Sequence, residues 1–208
     1  MEKCVAEALE QDKSTEAEAD QRLMLQYAAG DTSAFESLYQ KHKGGLYRYF
    51  VRQTGDQQLA EDLYQETWGR VIKAAVGYET SAKFTTWLYR IAHNLLIDHV
   101  RAVKPVDLFS DAFSEEQECD NQMSSDQFSP DSALEENIKA KLLRGCIDLL
   151  PTVQKETFLL SMEAGFTAAA IAEIVEVTLE ATKSRIRYAN RALKECVMNK
   201  WQEVDNER

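Results

Sequence analysis

The sequence predicts an all-α fold of two small helical domains joined by an acidic flexible linker. Three observations support this prediction. The 208 residues include only 8 Gly and 3 Pro, well below the ordinary usage of roughly 7% and 5%. Apolar residues recur at three- and four-residue spacing in two separate stretches, a pattern typical of helices with one buried face. The longest stretch without a basic residue lies between them, and it holds ten acidic residues.

The net charge of −11 is unevenly distributed along the chain. Residues 1–20 hold seven acidic residues and two lysines, and residues 105–137 hold ten acidic residues and no basic one. The first helical block, residues 21–104, and the second, residues 138–200, are both mildly basic, and residues 201–208 form a short tail. The acidity therefore belongs to a tail and a linker, and it does not exclude nucleic acid as a partner of either block.

The cysteines Cys4, Cys119, Cys146 and Cys196 are scattered, with no C-x-x-C pair. This spacing indicates neither a zinc site nor a disulfide framework, and it fits a reducing cytoplasm. The acidic N-terminus lacks the apolar core of a signal peptide, and no window reaches the length of a membrane span. We therefore expect a cytoplasmic protein with no cofactor, no metal and no membrane insertion.

The first block predicts a bundle of about four helices. Its early apolar residues predict two short helices broken at Gly44-Gly45. A helix over residues 60–76 has an apolar stripe on one side and Asp62, Gln65 and Glu66 on the other. Taken alone, that polar face is either simply solvated or a binding surface.

A further helix is predicted to start at an N-cap, either Thr85 or Thr86. Trp87 opens its apolar stripe and is expected to be a core residue. Polar and basic side chains point away from that stripe or flank it, namely Arg90, His93, Asn94 and Arg101.

The second block has the pattern of a helix-turn-helix. Pro151 can open a helix that ends near Gly165, and Thr167 can cap a short helix after it. A turn at residues 176–178 then leads into a longer helix, whose predicted inward residues are Leu179, Thr182, Ile186, Ala189 and Leu193. Its outward and flanking residues suit contacts with base edges and phosphates, and they are Glu180, Lys183, Ser184, Arg187, Tyr188 and Arg191. This pattern favours DNA recognition over an ordinary amphipathic surface helix.

From about residue 21 to 198, the two blocks together resemble the extracytoplasmic-function (ECF) sigma factors of bacterial RNA polymerase. The first block resembles their second region, in Ala60-Glu61-Asp62-Leu63-Tyr64-Gln65-Glu66, in Trp87-Leu88-Tyr89-Arg90-Ile91-Ala92-His93-Asn94, and in Asp98 and Arg101. The second block resembles their fourth region, in Leu149-Leu150-Pro151, Gln154-Lys155, Glu163-Ala164-Gly165, Ile171-Ala172-Glu173-Ile174 and Thr182-Lys183-Ser184-Arg185. Each motif is weak alone, but their order and spacing across a linker are specific.

The resemblance implies two protein contacts with core RNA polymerase. The helix over residues 60–76 would dock on the clamp helices of the largest subunit through Asp62, Gln65 and Glu66. The second block would meet the flap of the second-largest subunit. Many relatives are held by an anti-sigma factor, and the resemblance leaves open whether this chain has one. It implies no enzyme activity.

The resemblance also implies two contacts with promoter DNA. The first block would open the minus-10 element, where a flipped base needs aromatic or apolar walls and the strand needs cations. The residues that would supply them are Lys83, Phe84, Tyr89, Arg90, His93, Asn94 and Arg101. The helix-turn-helix would read the minus-35 element as duplex through Glu180, Lys183, Ser184, Arg185, Arg187, Tyr188 and Arg191.

The sequence departs from the family at three places. Glu176 stands where Gly or Asn is frequent, and because a left-handed conformation at a non-Gly residue costs about 1–2 kcal/mol, we expect a differently built turn. Ala102 and Val103 interrupt the usual basic run after Arg101. Glu180 precedes Ala181 and Thr182 in place of a frequent Gly-Thr-Val, so no promoter sequence is implied.

Two other functions are alternatives to a sigma factor, and the acidic linker has two alternative roles. A stand-alone helix-turn-helix regulator with a helical sensor or dimerisation domain would bind duplex DNA tightly without polymerase. An enzyme is disfavoured because His42, His93 and His99 lack metal-ligand spacing. The acidic linker either imitates nucleic acid in a basic channel of the polymerase or is a solvated tether.

Overall fold

A computed structural model describes residues 16–103 and 133–206. These residues contain helices and no strand: α1 (residues 16–28, from the start of the described part), α2 (Thr32–Thr54), α3 (Gln57–Ala74), a 3₁₀ turn (Ala75–Gly77) and α4 (Phe84–Val103) in the first block, then α5 (Ala133–Asp148), α6 (Thr152–Met162), α7 (Ala168–Ile174) and α8 (Leu179–Asn206) in the second. The predicted all-α fold is confirmed. The predicted linker falls mostly on residues 104–132, which lie outside the described part.

Aspartates start two of the first-block helices. Asp31 accepts a hydrogen bond from the backbone N–H of Ser33 at α2, and Asp56 accepts from Gln58 and Leu59 at α3. Each bond satisfies an N–H that the helix itself leaves unpaired. Gly55, at a φ of 67°, ends α2 in the left-handed conformation that glycine adopts without steric cost.

The predicted break at Gly44-Gly45 is wrong, because α2 runs through both residues. A methyl group on Gly45 would lie 3.2 Å from the Tyr89 hydroxyl oxygen of α4. The missing side chain therefore lets α4 approach α2 closely, and this packing outweighs the cost of roughly 0.5–1 kcal/mol that glycine imposes inside a helix.

The start of α4 also differs slightly from the prediction. The helix begins at Phe84, and the backbone N–H of Trp87 donates to the carbonyl of Lys83 at 3.1 Å. Lys83 thus occupies the cap position, and Thr85 and Thr86 lie in the first turn. Trp87 is half-buried against the core, as expected.

Part of the predicted acidic tail is structured, since residues 16–20 are helical. Asp20, only 2% exposed, accepts hydrogen bonds from Lys41 (2.8 Å) and from the His42 ring (2.9 Å). Burial acts to raise the pKa of Asp20, but these bonds outweigh it and lower the pKa below its ordinary value of 3.8. This cluster ties α1 to α2.

Asp20→Asn is expected to destabilise the first block by about 1–3 kcal/mol at neutral pH, because a charged acceptor of two hydrogen bonds is lost. A carboxyl group whose pKa is lowered on folding stabilises the fold above its unfolded pKa and ceases to do so as the pH falls through the folded pKa. The difference between the two proteins should therefore begin to shrink as the pH falls below the ordinary pKa of about 3.8, and it should vanish only below the lowered pKa of the folded state. Urea unfolding across this pH range measures it, with Glu18→Gln on exposed α1 surface as the control. An undiminished difference at acid pH would contradict the assignment.

The second block packs α5, α6 and α8 around a small core that includes Ile147, Leu159 and Leu193. A disulfide joins Cys146 of α5 to Cys196 of α8, with Cα atoms 5.9 Å apart and 50 residues between them in sequence. The expectation of no disulfide framework is therefore wrong for this pair. Scattered spacing concealed it, because the two helices that carry the cysteines meet only in the folded block.

Cys196→Ser is expected to lower the stability of the second block. Closing a loop of about 50 residues is worth roughly 4 kcal/mol in the chain-entropy account, or roughly 15 °C or more in melting temperature for a domain of this size. Thermal unfolding followed by circular dichroism measures the change. Cys119→Ser keeps the bridge and is the control. A reductant should lower the melting temperature of the control but not that of Cys196→Ser, and equal effects on both would contradict the role of the bridge.

The ends and the turn of the second block differ from the sequence-based expectations. Helix α5 begins at Ala133, inside the predicted linker, and α8 continues to Asn206, through most of the predicted tail. Glu176 adopts a φ of 53°, so the turn keeps the left-handed residue that we expected it to avoid. Thr167 caps α7 by accepting from the backbone N–H of Ala170 (3.3 Å), and Gly165 follows α6 at a φ of 69°, both as predicted.

The two blocks pack against each other, α4 on α7 and α2 on α6. Leu160, Ile171 and Ile174 of the second block are fully buried in the same apolar cluster as Leu88 and Tyr89 of the first. Helix α6 thus turns Leu159 toward its own block and Leu160 toward the other. We call this contact between the blocks the seam.

Candidate protein-binding and nucleic-acid-binding faces

The outward face of α3 carries Asp62, Gln65 and Glu66, and all three are exposed. Leu63 and Thr67 are buried on the opposite side, as the predicted helical spacing requires. Two neighbours on the helix contact the carboxylates: Gln58 donates to Asp62 at 3.4 Å and Arg70 pairs with Glu66 at 3.1 Å. Exposed pairs of this kind contribute about 0–1 kcal/mol, so they leave the face available to a partner.

An exposed polar stripe runs along α4. Arg90, Asn94 and Arg101 are exposed and lie within roughly 40° of one another around the helix axis, and the exposed Lys83 extends the stripe at the helix start. Three cations together with one amide suit a phosphate backbone. Four of the seven residues predicted for the minus-10 element are thus brought together.

The other three residues of that set are buried. Phe84 is fully buried beside Tyr78 and Trp87, with ring centroids 6.4 and 6.0 Å away. Its predicted place in a base-binding wall is therefore corrected: it is a core residue, because the first residue of α4 turns inward under Trp87. Tyr89 and His93 are buried differently, since the second block covers them.

Tyr89 and His93 lie at the seam. The Tyr89 ring meets the Phe166 ring edge-on at 4.9 Å, and Nδ1 of His93 lies 2.7 Å from Oε1 of Glu156. Burial raises the pKa of Tyr89 to about 12, against a smaller opposing effect of the Arg48 charge. Tyr89 is therefore a neutral side chain at the seam throughout the physiological range.

The outward face of α8 centres on Tyr188. The guanidinium groups of Arg187 and Arg191 lie 5.3 and 5.4 Å from its ring centroid, within cation–π range. Both arginines are exposed. This stacking preorganises two cations on one helix face, which fits contacts with phosphates or guanine edges.

The first turns of α8 carry the rest of the predicted set. Lys183 pairs with Glu180 at 3.0 Å, and both are exposed. Ser184 and Arg185 are half-buried, so they are less open to a duplex than the arginines further along. Thr182, Ala189 and Leu193 face inward as predicted, whereas Leu179 is 41% exposed and its predicted inward placement is wrong, because the first residue of α8 precedes the packed turn.

Sequence reasoning missed Glu156 entirely. Its carboxylate is 3% exposed and lies 107 and 63 residues from its two hydrogen-bonding partners in sequence, Tyr49 and His93. Periodicity reports which face of a helix is polar, not which distant helix meets it. In the sequence, the one sign that Glu156 is buried is that its neighbours one helical turn further along α6 are apolar.

Two features are absent from residues 16–103 and 133–206. No group of three or more His, Cys, Asp or Glu residues in that part of the chain is arranged to hold a metal ion. None of its helices is both long and apolar enough for a bilayer crossing.

Comparisons with known proteins agree with the two blocks. Residues 38–105 match the family described as Sigma-70 region 2, and residues 140–196 match Sigma-70, region 4. The chain is 30% identical to the ECF RNA polymerase sigma factor SigK of Mycolicibacterium vanbaalenii over 176 residues, which are 84% of this chain and 87% of SigK. It is also 30% identical to the ECF sigma factor SigW of Bacillus subtilis over 177 residues, 81% of this chain and 91% of SigW.

Two solved structures share the fold. CnrH, in complex with the cytosolic domain of CnrY, matches 87% of this chain and 98% of its own with a TM-score of 0.63 at 20% identity. The sigma factor RpoE of Bartonella quintana, in complex with the anti-sigma factor NepR, matches 79% of this chain and 96% of its own with a TM-score of 0.59 at 20% identity. The arrangement of helices, the two family matches and the relatives at 30% identity agree, and the chain belongs to the ECF sigma factors of RNA polymerase.

Proposed function

We propose that the three exposed faces divide the work of a promoter-specificity subunit. The α3 face binds core RNA polymerase, the α4 stripe holds the opened minus-10 strand, and the α8 face reads the minus-35 duplex. The observation that carries the proposal is the separation of charge in the first block. Acidic groups cluster on α3, whereas Arg90 and Arg101 mark the exposed stripe on α4. One block can therefore meet a basic protein surface and a nucleic-acid strand on different sides.

The core contact is proposed on electrostatic grounds. Asp62 and Glu66 lie one turn apart on a helix whose other side is anchored in the core by Trp68 and Val71. A rigid acidic face of this kind complements a basic helix surface and speeds association. The clamp helices of the largest subunit are the proposed partner, and the flap of the second-largest subunit is proposed for the second block.

The promoter contacts are proposed to be weak without polymerase. Each basic face carries few cations, and the chain as a whole has a net charge of −11. Affinity for DNA depends on the number of phosphates neutralised, so DNA binding should need the polymerase. The stand-alone regulator, which must bind duplex DNA by itself, has no support from the comparisons.

An anti-sigma protein is a further proposed partner, because the sigma factor RpoE of Bartonella quintana is in complex with the anti-sigma factor NepR. A cytoplasmic location follows from the proposed function, since core polymerase acts there.

Co-elution with core RNA polymerase tests the proposal. The chain and purified bacterial core enzyme are mixed and passed over a gel-filtration column, with the polymerase alone and the chain alone as references. We expect the chain to move to the elution volume of the polymerase and to be displaced by excess of another sigma factor. A chain that elutes only at its own volume at micromolar concentrations would contradict the proposal.

A further inference from the structure

A buried carboxylate from the second block lies at the centre of the seam. Oε1 of Glu156 accepts a hydrogen bond from the Tyr49 hydroxyl at 2.6 Å and lies 2.7 Å from Nδ1 of His93. Tyr49, His93 and Glu156 are 4%, 6% and 3% exposed. A carboxylate can only accept hydrogen bonds, so His93 donates from Nδ1. We call these three side chains the latch.

The latch joins three helices from two blocks: α2 through Tyr49, α4 through His93 and α6 through Glu156. Burial, with the Glu156 charge as the second cause, raises the pKa of Tyr49 well above its ordinary value of 10.0, so its hydroxyl stays a donor. Hydrogen bonds to a charged acceptor in a buried site are stronger than neutral ones. The latch is therefore a buried polar contact between the blocks, with its three side chains each less than 10% exposed.

The remaining seam is partly polar and incompletely filled. Arg52 of α2 pairs with Glu163 at 3.0 Å, and both side chains are about one-third exposed. A cavity of about 160 Å³ lies beside them, lined by Gly45, Arg48 and Tyr89 on one side and Leu159 and Ala164 on the other. This edge of the seam is polar, open to water and imperfectly packed, unlike the apolar cluster that contains Leu160 and Ile171, so separation of the blocks can start at this edge.

We infer that the latch is an autoinhibitory contact: it holds α6 and α7 over Tyr89 and His93, and it must break before α4 can hold an opened DNA strand. This inference rests on the proposed function, because that function places Tyr89 and His93 on the DNA-binding side of α4. The α3 face stays exposed while the latch is closed. Core polymerase can therefore bind first, and separation of the blocks follows.

Two variants open the latch from opposite sides. Glu156→Ala removes the acceptor of both hydrogen bonds, and Tyr49→Phe removes one donor with no change of charge. Their matched controls are Glu173→Ala, an exposed carboxylate on α7, and Tyr47→Phe, a half-buried tyrosine on α2 whose ring packs on Tyr64 at 5.8 Å. Far-UV circular dichroism verifies that all four variants keep their helix content.

The readouts are small-angle X-ray scattering of the free chain and fluorescence anisotropy of a labelled, mixed-sequence single-stranded DNA at low salt. Loss of two charge-assisted hydrogen bonds should shift the closed-to-open ratio by roughly tenfold or more. We expect Glu156→Ala to raise the radius of gyration and to tighten DNA binding by roughly tenfold, because apparent affinity scales with the open fraction. Tyr49→Phe should change both in the same direction by less, and both controls should match the wild type.

Two results would overturn the inference. If the radius of gyration of Glu156→Ala equals that of the wild type, the latch does not hold the blocks together. If that variant expands but binds DNA no more tightly than Glu173→Ala, the closed form does not inhibit. The scattering comparison does not involve polymerase. Failure of the wild-type chain to bind core enzyme would therefore contradict the proposed function, whereas the scattering data alone decide whether the latch holds the blocks together.

Discussion

Reversing the charge of the α3 face, with Asp62→Lys and Glu66→Lys together, is expected to abolish binding to core polymerase. Both side chains are exposed and on one side of a helix that is anchored by its other side. Like charges placed across an interface cost several kcal/mol, so affinity should fall by about 100-fold or more. Titration of fluorescently labelled chain with core enzyme measures this change.

The matched control for this variant is Glu18→Lys with Glu36→Lys, which changes the net charge by the same amount at exposed positions of α1 and α2. It should bind core polymerase within about twofold of the wild type, and all variants should retain the helix content of the wild type. Equal losses from the α3 variant and the control would show that net charge, not the α3 face, governs the contact. An unchanged affinity of the α3 variant would contradict its assignment to the polymerase.

Removing the two arginines that flank Tyr188, with Arg187→Ala and Arg191→Ala, is expected to abolish dependence on the upstream promoter element. Each arginine that contacts a base edge contributes about 1–3 kcal/mol, so the pair should cost at least roughly 20-fold in transcription from a promoter that needs that element. The two arginines lie on α8 and not on the α3 face, so binding of core polymerase through the α3 face should stay unchanged.

Comparing promoters with an intact and a scrambled upstream element separates this effect from a general loss of activity. The double variant should transcribe both equally, whereas the wild type should prefer the intact promoter. Lys194→Ala removes an exposed cation further along the same helix and should keep the preference. Normal discrimination by the double variant would place the recognition face elsewhere on the second block.

What the sequence predicts well here is local. The exposed Asp62, Gln65 and Glu66 and the buried Leu63 follow from the helical period alone, because neighbours at three- and four-residue spacing share a face whatever the rest of the chain does. Thr167 and Gly165 were likewise predictable, since caps and left-handed residues are properties of a few adjacent positions.

What the sequence did not predict depends on distant contacts. Gly45 lies inside α2 where a methyl group would come within 3.2 Å of the Tyr89 hydroxyl oxygen of another helix. The Cys146–Cys196 bridge spans 50 residues, and Glu156 meets Tyr49 across 107. His93 is buried because the second block covers it, and the residue pattern of α4 alone does not predict this burial. The residues proposed for polymerase and promoter contacts stay predictions, because their roles concern molecules outside this fold.

Transcription with purified components tests the central claim most directly. Core polymerase is incubated with genomic fragments of the source bacterium, with and without the chain, and the 5′ ends of the transcripts are sequenced. We predict new 5′ ends that require the chain and that share two short upstream elements at fixed spacing, set by the two DNA-binding faces. Transcripts that are the same with and without the chain would contradict its role as a promoter-specificity subunit.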